Sequence, residues 1–282
     1  MDNRDFVYIK DLTLKLDDSV ILKNINMNLN RGDRCLLIGL NGSGKTTLLR
    51  TMAGMHMKTS GELYIDNKTS FQDQWDGVCF LGESWNRSVA FSGHSIAFQA
   101  DIKVKNMMKA LQAEYPERRN KLIEVLGIND EWRMHMVSSG HRRTVRKLLG
   151  LIKPFKIALI DEMTMDLDII TRRRFMDWLK NESIMNKSTI LYATHIFDGL
   201  ENWATHLAHI KYNGILKKVN KLNTTVNILN LVSEKLYDDY VFLTNNNILE
   251  KEDGDGTKEE FRSKKSGPQG GYGSGRATKL SI

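Results

Sequence analysis

The octapeptide Gly39-Leu-Asn-Gly-Ser-Gly-Lys45-Thr46 restricts this chain more than any other stretch. It fits the pattern G-x-x-x-x-G-K-S/T, directly after the apolar run Cys35–Gly39 and directly before a helical one. In that context the pattern forms a phosphate-binding loop within an α/β fold. Glycines let the backbone curl until successive N–H groups point at one β-phosphate, and the positive end of the next helix adds to the field. Lys45 is placed to bridge β- and γ-phosphates and the Thr46 hydroxyl to ligate Mg²⁺. The candidate nucleotide-binding residues are therefore Gly39, Asn41, Gly42, Ser43, Gly44, Lys45, Thr46 and Thr47.

A second element supports the first. Ile157-Ala-Leu-Ile160 ends in the carboxylates Asp161 and Glu162, at the C-terminal edge of a buried strand, where ligands of such sheets bind. Asp161 is expected to hold Mg²⁺ through a water, and Glu162 to polarise the attacking water. Other strand-like runs are Phe6–Lys10, Ile25–Leu29, Gly77–Leu81, Ser188–Ala193 and Leu207–Tyr212. Helical spacing runs from Ile96 to Leu126, and further helical stretches are expected at Thr171–Lys180 and Asp198–Trp203. Strands alternating with helices predict a mainly parallel sheet covered on both faces. With no internal repeat, one phosphate-loop domain is present. The expected partition is 1–220 for that domain, with 85–150 as a helical insertion, 221–249 as an accessory element, and 250–282 as a disordered Gly/Ser-rich tail.

No run approaches the roughly 18 uncharged apolar residues of a membrane-spanning helix, so no membrane insertion is expected. The opening MDNRDFVYIKDL lacks the basic and apolar regions of a secretory signal, which points to the cytoplasm or nucleus. Cys35 and Cys79, the two cysteines, lie in apolar runs and are expected as reduced core thiols. Of the net charge of +7, five units come from residues 262–282, which contain no acid. The basicity thus belongs mostly to the tail and only weakly suggests a nucleic-acid partner.

Val137-Ser138-Ser139-Gly140-His141, with Ser138 lying 23 residues before Asp161, resembles in position the LSGGQ signature of the ABC ATPases. Ser138 and Gly140 match; Val137, Ser139 and His141 replace Leu, Gly and Gln. The resemblance implies a P-loop NTPase cassette with an N-terminal antiparallel β subdomain and an inserted helical subdomain. It also implies a homodimer in which the signature residues Ser138, Ser139, Gly140 and His141 reach the γ-phosphate bound by the opposite copy. Asp168 matches the last carboxylate of the family's D-loop, and His195 the switch histidine on the γ-phosphate. Three departures stand out. Glu83 occupies the place of a metal-sensing Gln and is a candidate Mg²⁺ contact, Leu16 stands where an aromatic stacks on adenine, and Met163 replaces a proline. The basic run Arg142, Arg143, Arg146, Lys147 reads as a solvated helix face.

Trp132-Arg-Met-His135, DEMTMDLD and Tyr192-Ala-Thr-His195-Ile-Phe-Asp-Gly-Leu200 further resemble the soluble ABC proteins of fungi and plants that lack membrane domains. The fungal member of that group is associated with the CCR–Not complex. The resemblance implies an ATP-hydrolysing switch in a regulatory protein complex. Two alternatives remain open: an ATPase subunit of a transporter with separate membrane chains, and a nucleotide-binding scaffold that does not hydrolyse. The short helical segment between Glu83 and Ser138 excludes long coiled-coil insertions.

Overall fold

The computed structural model describes residues 6–17, 19–69, 77–82, 88–91, 94–97, 101–222 and 227–245. Glu83 and residues 250–282 lie outside the described residues. Strand β1 (Val7–Leu16) turns back at Asp17 into β2 (Ser19–Leu29), with Leu16 opposite Ser19 at the hairpin end. Val7, Ile9, Leu12 and Leu14 are buried along β1, the one-sided pattern of a sheet packed on a core. The other edge of β1 pairs with β4 (Ser60–Ile65), which pairs with β5 (Lys68–Thr69), giving the antiparallel order β2-β1-β4-β5.

The central sheet starts with β3 (Arg34–Ile38), followed by the phosphate loop and α1 (Lys45–Met52). Its other strands are β6 (Val78–Leu81), β9 (Ile157–Asp161), β10 (Thr189–Ala193), β11 (His206–Ile210) and β12 (Leu216–Lys221), in the order β12-β11-β3-β10-β9-β6. Every pairing is parallel except β11 with β12. β3, β9 and β10 are buried at every residue because alternate side chains feed two cores. Cys35, Leu37, Leu159 and Leu191 face the antiparallel sheet and α1, whereas Leu36, Ile38, Ile160 and Tyr192 face the helical side. Both cysteines are buried free thiols, as expected, and burial raises the Cys79 thiol to about 12.

The single helical region expected at Ile96–Leu126 is instead broken into shorter elements. Strands β7 (Ser88–Phe91) and β8 (His94–Ala97) pair as a hairpin, and a 3₁₀ turn at Val104–Asn106 precedes α2 (Lys109–Glu114) and α3 (Pro116–Leu126). Pro116 explains the last break: it opens α3 at a position where its missing N–H costs nothing, but it cannot continue α2. Gly127 closes α3 in the left-handed region at φ +62°. α4 (Ser139–Leu151) and α5 (Ile169–Met185) complete the helical side. The helix expected at Asp198–Trp203 is a series of turns, fixed by the Trp203 indole N–H donating to Met176 O at 2.9 Å.

The chain divides into two compact units, residues 1–239 and 240–282, and α6 (Ile228–Asn245) runs through the boundary. Among the described residues no helix is long and apolar enough to cross a membrane.

Candidate functional site

Parallel register builds the site. Ala193 is the partner of both Leu37 and Asp161, so the segments leaving β3, β9 and β10 emerge from one edge of the sheet. They carry the phosphate loop, Glu162 and His195 respectively. Glycine is required in the loop by geometry. A Cβ on Gly39, at φ +156°, would lie 2.3 Å from Ile210 O, and one on Gly44, at φ +103°, would lie 2.9 Å from Leu22 Cδ2. Gly44 caps α1 without a side-chain bond, leaving the first turn's amides for an anion.

Lys45 is buried and its Nζ donates to Gly39 O at 2.7 Å and Leu40 O at 3.0 Å. Burial pushes its pKa down, while Glu162 and Asp161 push it back up. Burial also pushes the Asp161 carboxyl up, opposed by a hydrogen bond from Thr46 and reinforced by Glu162. Asp161 Oδ1 and Ser43 Oγ are buried with no hydrogen-bond partner among the described residues. An orphaned carboxylate oxygen beside a threonine hydroxyl fits Mg²⁺. Among the described residues no group of three or more His, Cys, Asp or Glu is placed to hold a metal ion.

Glu162 sits at φ +52°, its N–H donating to Ala193 O at 3.0 Å. Its Oε1 lies 2.8 Å from His195 Nε2, with about a third of each side chain exposed (36% and 34%). Two supports for this pair went unassigned in the sequence. The Tyr192 hydroxyl, fully buried, bonds Thr164 and Thr194, the residues two past Glu162 and one before His195. Arg172 on α5 donates to Ile196 O at 3.0 Å and Asp198 O at 2.9 Å, holding the loop behind His195.

The signature segment opens α4. Ser138 is the N-cap, accepting from the His141 N–H at 3.2 Å, and Ser138, Ser139 and His141 are exposed while Gly140 is half-buried. The His141 ring lies 4.3 Å from the Trp132 ring. Asp168 caps α5, accepting from the Ile170 and Thr171 amides at 2.9 Å each. Leu16 is 37% exposed at the hairpin end. Asn41 is exposed within the loop, and Thr47 follows it within α1. One reading is overturned: Lys147 is not solvated but buried, its ammonium paired with Asp166.

The family model described as ABC transporter matches residues 22–165, which include the phosphate loop, the signature segment and the Asp161–Glu162 pair. This chain belongs to the ABC family. The ABC chain is 42% identical over 224 residues to ABC transporter I family member 21 of Arabidopsis thaliana, covering 75% of this chain and 78% of that protein. With member 20 of the same plant family it shares 42% over 201 residues, 70% of this chain but 61% of the relative. CCR4-associated factor 16 of Saccharomyces cerevisiae is 31% identical over 262 residues, covering 86% and 87% of the two chains. Among solved structures, the ATP-binding subunit of an ABC transporter superposes with a TM-score of 0.68 at 18% identity, over 82% of this chain and 99% of that one. A dimeric post-hydrolysis ATP-binding cassette bound to ADP and Pi gives 0.63 at 22% identity, over 77% and 99%. These two likenesses show the cassette fold.

Proposed function

We propose that this ABC chain binds Mg-ATP between two copies of itself and hydrolyses it, and that closing and reopening of the dimer acts as a switch within a regulatory protein complex. The observation that carries the reading is the 2.8 Å contact between Glu162 and His195 at the sheet edge where the phosphate loop begins. A carboxylate there can take a proton from a water aimed at the γ-phosphate, and an imidazole whose Nε2 meets Glu162 orients it. The buried Lys45 ammonium already satisfies two carbonyls and can exchange them for phosphate oxygens in a low-dielectric setting. Thr46 and Asp161 would hold Mg²⁺, which when bound offsets phosphate charge. Ser138, Ser139 and His141 are exposed at the start of α4, where they can meet a nucleotide on another copy, which supports a shared site.

The regulatory part of the reading is supported by the likeness to CCR4-associated factor 16 across most of both chains. A transporter subunit with separate membrane chains is the second reading, favoured by the description of the matching family. Capturing partners from cells in ATP and in ADP separates the two: a membrane chain recovered in either nucleotide overturns the switch. For hydrolysis, phosphate release by the wild type and by Glu162→Gln decides. A wild type no faster than the variant would leave a scaffold that only binds.

A further inference from the structure

Between the signature helix and the hydrolytic loop lies an ion pair that none of these steps uses. Lys147 Nζ, on a side chain with 0% exposure, donates to both carboxylate oxygens of Asp166, at 3.1 and 2.9 Å. Asp166 itself is 14% exposed and belongs to the loop running from Glu162 to Asp168. Burial pushes the Lys147 pKa down and Asp166 pushes it back, with Arg143 working against the charge. A buried ion pair is weak support for stability, because apolar residues of the same volume often fold as well or better. Its geometry suits positioning. Lys147 stands nine residues after Ser138, about 14 Å along one continuous helix.

We propose that Lys147 and Asp166 are a positioning pair, which ties the loop behind Glu162 to the signature helix of the same chain. Nucleotide at one phosphate loop thereby sets the position of the Ser138 that the chain offers to the other nucleotide. This deepens the proposed dimer and rests on it. The contacts are continuous: His195 meets Glu162, the loop of Glu162 carries Asp166, Asp166 holds Lys147, and α4 carries Ser138 at its start. Tyr192 fixes the same loop to β10 through Thr164, so displacement at Glu162 is passed on rather than absorbed.

The test uses the full chain as Lys147→Met, Asp166→Ala, the double variant, and Asp166→Asn, which keeps the shape and an acceptor. Each single apolar change strands a buried charge and should lower Tm, whereas the double variant removes both charges and should recover it. The double variant should keep Mg-ATP affinity, lose about tenfold in turnover through misplacement of the signature, and bring the Hill coefficient for ATP down to 1. In a Glu162→Gln background its Mg-ATP-driven dimer should be weaker by the same factor. Wild-type turnover, cooperativity and dimerisation in a folded double variant would overturn the pair's role, as would a folded Asp166→Asn chain with all three unchanged. If Glu162→Gln alone stays monomeric in Mg-ATP, the shared-site reading fails separately. The pair is then judged from amide exchange at 136–141, which should respond to Mg-ATP in the parent chain and not in the double variant; equal responses would overturn it.

Discussion

Glu162 holds a left-handed backbone, φ +52°, a conformation that costs a non-glycine residue about 1–3 kcal/mol and persists only where the surroundings enforce it. Here the enforcement comes from the hydrogen bond that the Glu162 N–H donates to Ala193 O, the contact with His195, and the buried Tyr192–Thr164 hydroxyl pair. Glu162→Gln should keep Mg-ATP while turnover falls on the order of 10²-fold, read by phosphate release and nucleotide binding; equal turnover would remove Glu162 from the chemistry. Tyr192→Phe leaves Thr164 short of a buried partner. It should lower stability by about 1–3 kcal/mol and reduce kcat more than it changes KM, checked by denaturation and steady-state rates. Lys45, Thr46, Asp161 and Glu162 were legible because a phosphate loop and a strand ending in two carboxylates are local patterns. Tyr192 and Lys147 were not, because their partners Thr164 and Asp166 lie 28 and 19 residues away. Lys147 did carry a signal: three residues after Thr144 and four before Leu151, it shares the buried face of α4.

The strands were readable for a physical reason. Residues 35–38, 157–160 and 190–193 feed cores on both sheet faces, which demands unbroken apolar runs. The segment 96–126 misled because methionines and leucines at helical spacing do not reveal a proline-forced restart at Pro116 or a strand at His94–Ala97. A further contact joins β11 to α6: His209 Nε2 lies 2.7 Å from Asp239 Oδ2, both side chains buried. Burial pushes His209 below its ordinary 6.5, with Asp239 pulling the other way, and burial likewise lowers His206. Each imidazole is then protonated more readily in the unfolded chain. Stability should therefore fall as pH drops from about 6.5 toward the lowered folded values, by at most about 1.4 kcal/mol per unit for each histidine. His209→Asn should flatten that slope in denaturant titrations between pH 7 and pH 5; an unchanged slope would mean that His209 does not titrate with folding.

At the scale of the whole molecule, the chain belongs to the ABC family, and the groups proposed to face nucleotide divide in two. Lys45, Asp161, Glu162 and His195 gather at one sheet edge, while Ser138 waits at the exposed start of α4. The division makes sense if each complete site is shared between copies, and mixing two disabled chains tests this. Lys45→Ala removes the phosphate-loop cation, and Ser138→Glu sets a carboxylate where the opposite γ-phosphate would come. Each protein alone should be inactive. A mixed dimer contains one intact pairing, the Ser138→Glu chain's own Lys45 with the Lys45→Ala chain's Ser138. An equimolar mixture should therefore regain Mg-ATP turnover that neither parent has. A mixture as inactive as its parts, or full activity of Ser138→Glu by itself, would contradict a site shared between two copies.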